Sequence, residues 1–225
     1  MEQCNIVLVL RTGGDFKFRD VELLAKHLHL QWKSDVPLKV YCLYDKVEVR
    51  QDLVNITLLP MENHWTGWWA KLNLFSPSLI NLRPFLYMDL DTAVLGDISK
   101  LFNIGEKVGF VGLQDFVRAN QFASGVMFFP EKSNSVDSVW ETWISNPYKF
   151  IDKFRGDQNF ISNFIHSRNY WQEHTSMICS FKIREGDRSW LREVPDTISV
   201  VCFHGKPRVF DAANQVEWVK NYVQV

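Results

Sequence analysis

Short unbroken apolar runs alternate with helically spaced apolar positions through the first ninety or so residues. Asn5–Leu10 (NIVLVL) is such a run, as a strand buried on both faces requires, and it ends in the polar turn Arg11-Thr12-Gly13-Gly14-Asp15. Over Phe18–Lys33, Val21, Leu24, Ala25, Leu28 and Trp32 recur on one helical face. Leu38–Leu43, Ile56–Leu59 and Phe85–Met88 read as further strands, and Gly67–Phe75 as a helix stopped by Pro77. The second half is mixed. Strands are predicted at Val108–Leu113, Val126–Phe129 and Ser199–Phe203, and helices at Asn134–Ile144, Gln158–Ser167 and Gln215–Val223.

Strand, helix and strand in succession predict an α/β fold: a single Rossmann-like domain with a mixed, mostly parallel central sheet flanked by helices. In such sheets ligands bind beyond the carboxyl ends of the strands. The RTGGD turn and the pair Asp89/Asp91 both fall at such ends, so the topology brings them to one edge. No repeat, low-complexity segment or linker divides residues 1–225, and one domain is expected. The chain stops directly after a predicted helix, which is compatible with its being part of a longer protein.

Composition narrows the class. Of 225 residues, 46% are hydrophobic, enough for a sizeable core. The net charge of -1 gives no bulk attraction to nucleic acid or anionic membrane. The four cysteines are scattered without a CxxC pair, which argues against structural zinc. Few cysteines and no signal peptide favour a reducing, cytoplasmic setting. The longest apolar runs fall well short of the ~20 residues of a membrane span.

The chemistry concentrates in FLYMDLDTAVLGD, residues 85–97, where a buried strand runs straight into Asp89 and Asp91. Two like charges at the end of a hydrophobic strand need something positive between them. A divalent cation is the usual reason: Mg²⁺ or Mn²⁺ takes oxygen ligands and keeps positions open for phosphate. The plainer reading has one Asp capping a turn and the other solvated. A second apolar strand ends in His204-Gly205-Lys206-Pro207. An imidazole beside two carboxylates suits Mn²⁺, and Lys206 is placed to meet a phosphate oxygen; otherwise His204 is a structural residue in a surface loop.

These motifs come in a telling order: DxD after a buried strand, FASGVMFF over residues 122–129, Asp157-Gln158, then the late His-Gly-Lys-Pro. In that order they resemble the nucleotide-sugar glycosyltransferases of the GT-A fold. Family 8, the glycogenin and bacterial galactosyltransferase group, has the nearest pattern, together with small viral glycosyltransferases related to it. The resemblance runs from Leu10 to Phe210. It implies a metal-dependent enzyme moving a sugar from a nucleotide-sugar, UDP-linked before GDP-linked, to a glycan or protein acceptor, with retention of configuration. It implies that Asp89, Asp91 and His204 hold Mn²⁺ (or Mg²⁺). The donor would meet Arg11, Thr12, Gly13, Lys71, Asp89, Leu90, Asp115, Ser124, Gly125, Gly205 and Lys206. Asp157 and Gln158 would stand beside the reacting carbon, with Lys206 on the leaving diphosphate. Two positions depart from the family. Ala123 stands where the family often has Asn, and His, Gly and Lys-Pro are contiguous where the family spaces them more widely.

HWTGWW, residues 64–69, adds a cluster of aromatic rings to a chain with nine tryptophans. Trp68 and Trp69 read as core, and Trp65, before the glycine, as the exposed one. Trp140, Trp143, Trp171 and Trp190 fall in the half expected to meet an acceptor, the first two with helical neighbours that favour core. Three rivals share parts of the pattern. A haloacid-dehalogenase-type phosphatase places Thr or Val two residues beyond its DxD, and Ala93 stands there. A sugar-nucleotide nucleotidyltransferase wants a Gly-rich basic first loop, which RTGG only faintly echoes. A non-catalytic nucleotide-sugar-binding module would not need Asp89, Asp91 and His204 intact.

Overall fold

The computed structural model describes residues 3–118, 120–182 and 189–225. In chain order the first half contains β1 (Cys4–Leu10), α1 (Phe18–Leu30), β2 (Leu38–Tyr44), β3 (Gln51–Asp52), β4 (Thr57–Pro60), two 3₁₀ helices (Gly67–Phe75 and Pro77–Leu82), β5 (Phe85–Met88), β6 (Thr92–Val94), α2 (Ser99–Val108) and β7 (Val111–Gln114). The second half contains β8 (Phe122–Phe129), α3 (Asn134–Ser145), α4 (Pro147–Lys153), α5 (Asp157–Phe164), β9 (Asn169–Tyr170), α6 (Trp171–His174), β10 (Ile178–Ser180), β11 (Val200–Cys202), α7 (Val209–Ala212) and α8 (Glu217–Gln224).

β1 lies between β2 and β5 and is parallel to both, with Leu8 opposite Cys42 and Val7 opposite Tyr87. Its two faces feed two separate apolar clusters, one with Ile6 and Leu8 and the other with Val7, which is why its sequence does not alternate. β4 extends the parallel part beyond β2, and the exposed two-residue β3 closes that edge antiparallel. Past β5 the sheet changes sense: β8 pairs antiparallel with β5 and β7, and β9 runs parallel to β7. The described strands form an eight-stranded mixed sheet in the order β3-β4-β2-β1-β5-β8-β7-β9. The α/β expectation of a mostly parallel central sheet flanked by helices is therefore met.

Several boundaries move for local reasons. α1 ends at Leu30, not Lys33: Gln31 leaves helical dihedrals at φ -98° and ψ 4°, and beyond it the Trp32 indole N–H donates to the Val36 carbonyl at 2.7 Å. Val108, expected in a strand, closes α2 instead. That helix is hidden in the sequence by Gly105, a poor helix former. A Cβ at Gly105 would sit 2.2 Å from the Phe128 ring, so only glycine lets the helix cross β8 there. Gly109, at φ 90°, then ends it.

A second, three-stranded sheet carries the site. β11 pairs parallel with β10 and antiparallel with β6, with Cys202 opposite Thr92. The Phe203 amide continues the pairing to the Asp91 carbonyl at 2.9 Å. The end of β5 and the end of β11 are thereby bound side by side. A third apolar cluster, with Phe181, Phe203, Val219 and Tyr222, backs this small sheet. Among the described residues, no helix is long and apolar enough to cross a membrane.

Candidate active site

A cleft of about 470 Å³ opens at the carboxyl edge of β1, β5 and β11. Its lining includes Arg11, Asp15, Phe16, Trp68, Lys71, Asp89, Leu90, Asp91, Ser124, Asp157, Gln158, His204, Gly205 and Arg208. The volume is of the size small-molecule sites use.

Lys71 is the centre of the cleft floor. Its Nζ lies 2.9 Å from Asp89 Oδ1, 3.3 Å from Asp157 Oδ2 and 3.0 Å from Ser124 Oγ. The Ser124 hydroxyl in turn donates to Asp157 Oδ2 at 3.0 Å. Burial works against the Lys71 ammonium, but Asp157 and Asp89 outweigh it and hold it charged, with its pKa above the ordinary value. Asp89 is pushed up to about 6, first by burial, against the pull of Lys71, with Asp91 adding to the rise. The Tyr87 hydroxyl donates to Asp89 Oδ1; burial first, and then Asp89, keep the Tyr87 phenol protonated. The Asp89 amide is fixed by the Gly125 carbonyl at 2.8 Å.

Asp91 belongs to a second ion pair. Its Oδ2 accepts from Arg208 Nη1 and from the Gly205 amide at 3.3 Å. Arg208 Nη2 reaches Asp15 Oδ2 at 3.2 Å, and the guanidinium lies 4.5 Å over the Phe16 ring. Arg208 thus straps the loop after β1 to the acidic pair. The Arg208 hydrogen bond and the charge of Lys206 hold Asp15 below the usual carboxylate range.

His204 sits at φ 33°, and Gly205 at φ 102° continues the left-handed turn beyond β11. The imidazole is 2.6 Å from Ser180 Oγ and stacks on Phe116 with centroids 5.6 Å apart. Burial first and Lys182 second hold its pKa below the ordinary value, which favours the neutral imidazole. His204, Asp89, Asp91 and Asp115 all face one small cavity of about 90 Å³. Asp115 also turns its own loop, accepting from the Val117 and Arg118 amides at 2.9 Å each.

Among the described residues, no three His, Cys, Asp or Glu side chains are gathered as a metal cluster. The carboxylates and the imidazole have the donor chemistry of an Mn²⁺ or Mg²⁺ site and share a cavity. Asp91, however, is turned to Arg208, and His204 to Ser180. The residues fit such a cation chemically, provided Arg208 leaves Asp91.

Other expected residues are placed as follows. Arg11 pairs with Asp45, whose carboxylate also receives the Thr12 amide at 2.9 Å and the Thr12 hydroxyl at 2.6 Å. Burial works to raise the Asp45 pKa, but Thr12 and Arg11 hold it below the ordinary value. Gly13, at φ 91°, shapes this turn, but Thr12 and Gly13 stand back from the cleft. Gly125 packs under Asp89, where a Cβ would lie 3.5 Å from Oδ2. Lys206 is 65% exposed at its side chain, 3.5 Å from Asp15 and 3.8 Å from Asp211, outside the cleft lining. Arg208, two residues on, takes the inward position.

Sequence reasoning missed Asp45, Tyr87 and Arg208. The first had a signal, since Asp45 directly follows an apolar strand as Asp89 does. The tryptophans exchange roles. Trp65 is half-buried against Trp140 and Trp143, whereas Trp68 is 62% exposed on the cleft rim; Trp69 is core, as expected. Trp171 is fully buried, so it does not face an acceptor.

The sheet order and layering match those of GT-A glycosyltransferase structures, and the chain has the GT-A fold. The whole chain superposes on the glycosyltransferase GlyE of Streptococcus pneumoniae with a TM-score of 0.66 at 16% identity, spanning 61% of that chain. It matches an active-site mutant of LgtC with a TM-score of 0.64 at 14% identity, over 98% of this chain and 94% of that one. Mouse xyloside xylosyltransferase 1 matches with a TM-score of 0.54 at 11% identity, over 90% and 98%. No protein-family model and no curated protein sequence matches.

Proposed function

We propose that the chain is a glycosyltransferase that moves a sugar from a nucleotide-sugar, a UDP-sugar before a GDP-sugar, to a glycan or protein acceptor with retention of configuration. The observation that carries this reading is the buried Lys71, held by Asp89 and Asp157 on the floor of a cleft at the carboxyl edge of the sheet. Breaking the bond from the anomeric carbon to the diphosphate leaves negative charge on the departing oxygens. Fixed cations aimed at that charge lower the barrier because they need no reorganisation. Lys71 is such a cation; Arg11 and Arg208 also line the cleft, and Arg208 becomes free for the diphosphate once it leaves Asp91.

A divalent cation, Mn²⁺ or Mg²⁺, is the expected cofactor, and Asp89, Asp91 and His204 are the residues that would hold it. When bound it supplies Lewis-acid stabilisation of the diphosphate. Asp157 and Gln158, at the start of α5, flank the position of the donor sugar. Asp157 is tied to Lys71 and Ser124, an arrangement suited to orienting groups and stabilising an oxocarbenium-like centre. With no free carboxylate assigned as nucleophile, the acceptor proton passes to the leaving phosphate oxygen on the same face. Residues 1–225 act as one transferase unit, which we assign to the cytoplasm.

Calorimetric titration with UDP tests the reading, in Mn²⁺ and again after EDTA, on the wild type and on Asp91→Ala. Metal-dependent binding that the substitution abolishes is expected. If neither UDP nor GDP binds in Mn²⁺, the transferase reading falls.

A further inference from the structure

Among the described residues, Trp68 is the one large cleft-lining side chain whose aromatic face lies mostly open, at 62% exposure. Trp143 stacks on Trp69 and meets Trp65 edge-on, but among the described residues Trp68 stacks on no ring and its indole N–H has no hydrogen-bond partner. A large apolar ring left open at the mouth of a polar cleft marks a contact surface.

Three features set what that surface fits. The segment Gly67–Phe75 is a 3₁₀ helix, in which residues i and i+3 eclipse. Trp68 and Lys71 therefore share the face turned to the cleft, separated along the axis by roughly 6 Å, about the width of one sugar ring. One glycine precedes the ring in sequence and another lies against its edge. Gly67 precedes it at φ 59°, and its edge rests on Gly156, where a Cβ would meet the indole nitrogen at 3.2 Å. With only hydrogen on the glycine beneath its edge, the ring forms an open shelf at the rim of the cleft. Gly156 is also the cap of α5, so the shelf adjoins Asp157 and Gln158. Asp157 is buried and engaged by Lys71 and Ser124, which leaves Gln158 as the polar group at the shelf; an amide beside an open aromatic face suits a pyranose, with its C–H face on the ring and a hydroxyl on the amide.

We propose that Trp68 is the acceptor platform and that the acceptor is a carbohydrate, a sugar ring stacking on the indole one ring-width from Lys71. This rests on the transferase reading and narrows it, since it selects a glycan over a protein acceptor. Trp68 is a specificity-determining residue here, and no bond is made or broken on it.

The test is a printed glycan array probed with labelled protein in UDP and Mn²⁺, comparing wild type, Trp68→Ala and Trp68→Phe. UDP binding is measured separately on each. Wild-type binding to a set of glycans is expected, with affinity for the best of them reduced roughly tenfold or more in Trp68→Ala and largely kept in Trp68→Phe. Because Trp68 is mostly exposed, the variants should melt close to the wild type. Wild-type protein that binds UDP but no glycan overturns the carbohydrate acceptor. Glycan binding that is unchanged in Trp68→Ala overturns the platform, as does loss of UDP binding in that variant, which would assign Trp68 to the donor. Glycan binding lost in Trp68→Ala, from a wild type that binds neither UDP nor GDP, supports the platform and sinks only the transferase reading.

Discussion

Asp91 and Arg208, 117 residues apart in sequence, form an ion pair across the mouth of the cleft. The pair answers how a hydrophobic strand can end in two carboxylates. Lys71 neutralises Asp89 from below and Arg208 neutralises Asp91 from above. A divalent cation taken by Asp91 must compete with Arg208. Arg208→Gln should therefore bind Mn²⁺ more tightly than the wild type, by about tenfold if the charged hydrogen bond contributes about 1.5 kcal/mol. An Mn²⁺ titration followed by electron paramagnetic resonance reads this directly. Equal or weaker binding in the variant would mean that Arg208 does not compete for Asp91.

Lys71 is the charge on which the floor of the cleft depends. Lys71→Met leaves Asp89 and Asp157 buried without their cation, and removing one partner of such a group costs about 3–5 kcal/mol. The loss should depend on pH. Asp89 already titrates above its ordinary value and rises further once the lysine is gone. Between the unfolded and folded pKa values, the folded variant binds more protons than the unfolded chain, so its stability falls as pH rises. Urea melts should show Lys71→Met closest to wild type near pH 5 and furthest from it near pH 7.5. A deficit that does not vary with pH would point to lost packing rather than lost charge.

Much of this arrangement is legible in the sequence, because its signals are local. β1, β2 and β5 stand out as unbroken apolar runs, and Asp89, Asp91 and His204 stand out because each ends or follows one. What was illegible depends on contacts between distant elements. β6 and β10 have three residues each, too few for a period, and although β11 is legible as an apolar run, its pairing with β6, which brings His204 beside Asp91, is not. Arg208 lies in a loop, and its inward turn follows from contacts with Asp15 and Phe16 near the other end of the chain. Trp68 was misjudged because WWAKL reads as an α-helix at 3.6 residues per turn. The 3₁₀ turn that forms puts Trp68 and Lys71 on one face and Trp69 into the core.

If Asp89 holds the cation, its carboxyl also sets an acid limit on ligand binding. With its pKa at about 6, it is charged at pH 7.5 and largely protonated at pH 5. A protonated Asp89 is a poor ligand for a cation, so Mn²⁺-dependent UDP binding should weaken by about tenfold per pH unit well below 6. Calorimetry at pH 7.5, 6 and 5 measures the limb. Binding that stays flat to pH 5 would remove Asp89 from the metal or donor contacts.

Tyr87→Phe moves that limb and so identifies its owner. The Tyr87 hydroxyl donates to Asp89 Oδ1 and, by stabilising the charged form, holds its pKa lower than burial alone would. Deleting the hydroxyl removes this stabilisation and leaves the ring, which packs in the cluster around Val7 and Phe85. The midpoint of the acid limb should shift to higher pH in Tyr87→Phe, with binding near wild type at pH 8 and clearly weaker at pH 6.5. Uniform weakening at every pH would make Tyr87 a positioning residue for the strand end without influence on the titration. An unchanged midpoint would assign the limb to a group other than Asp89.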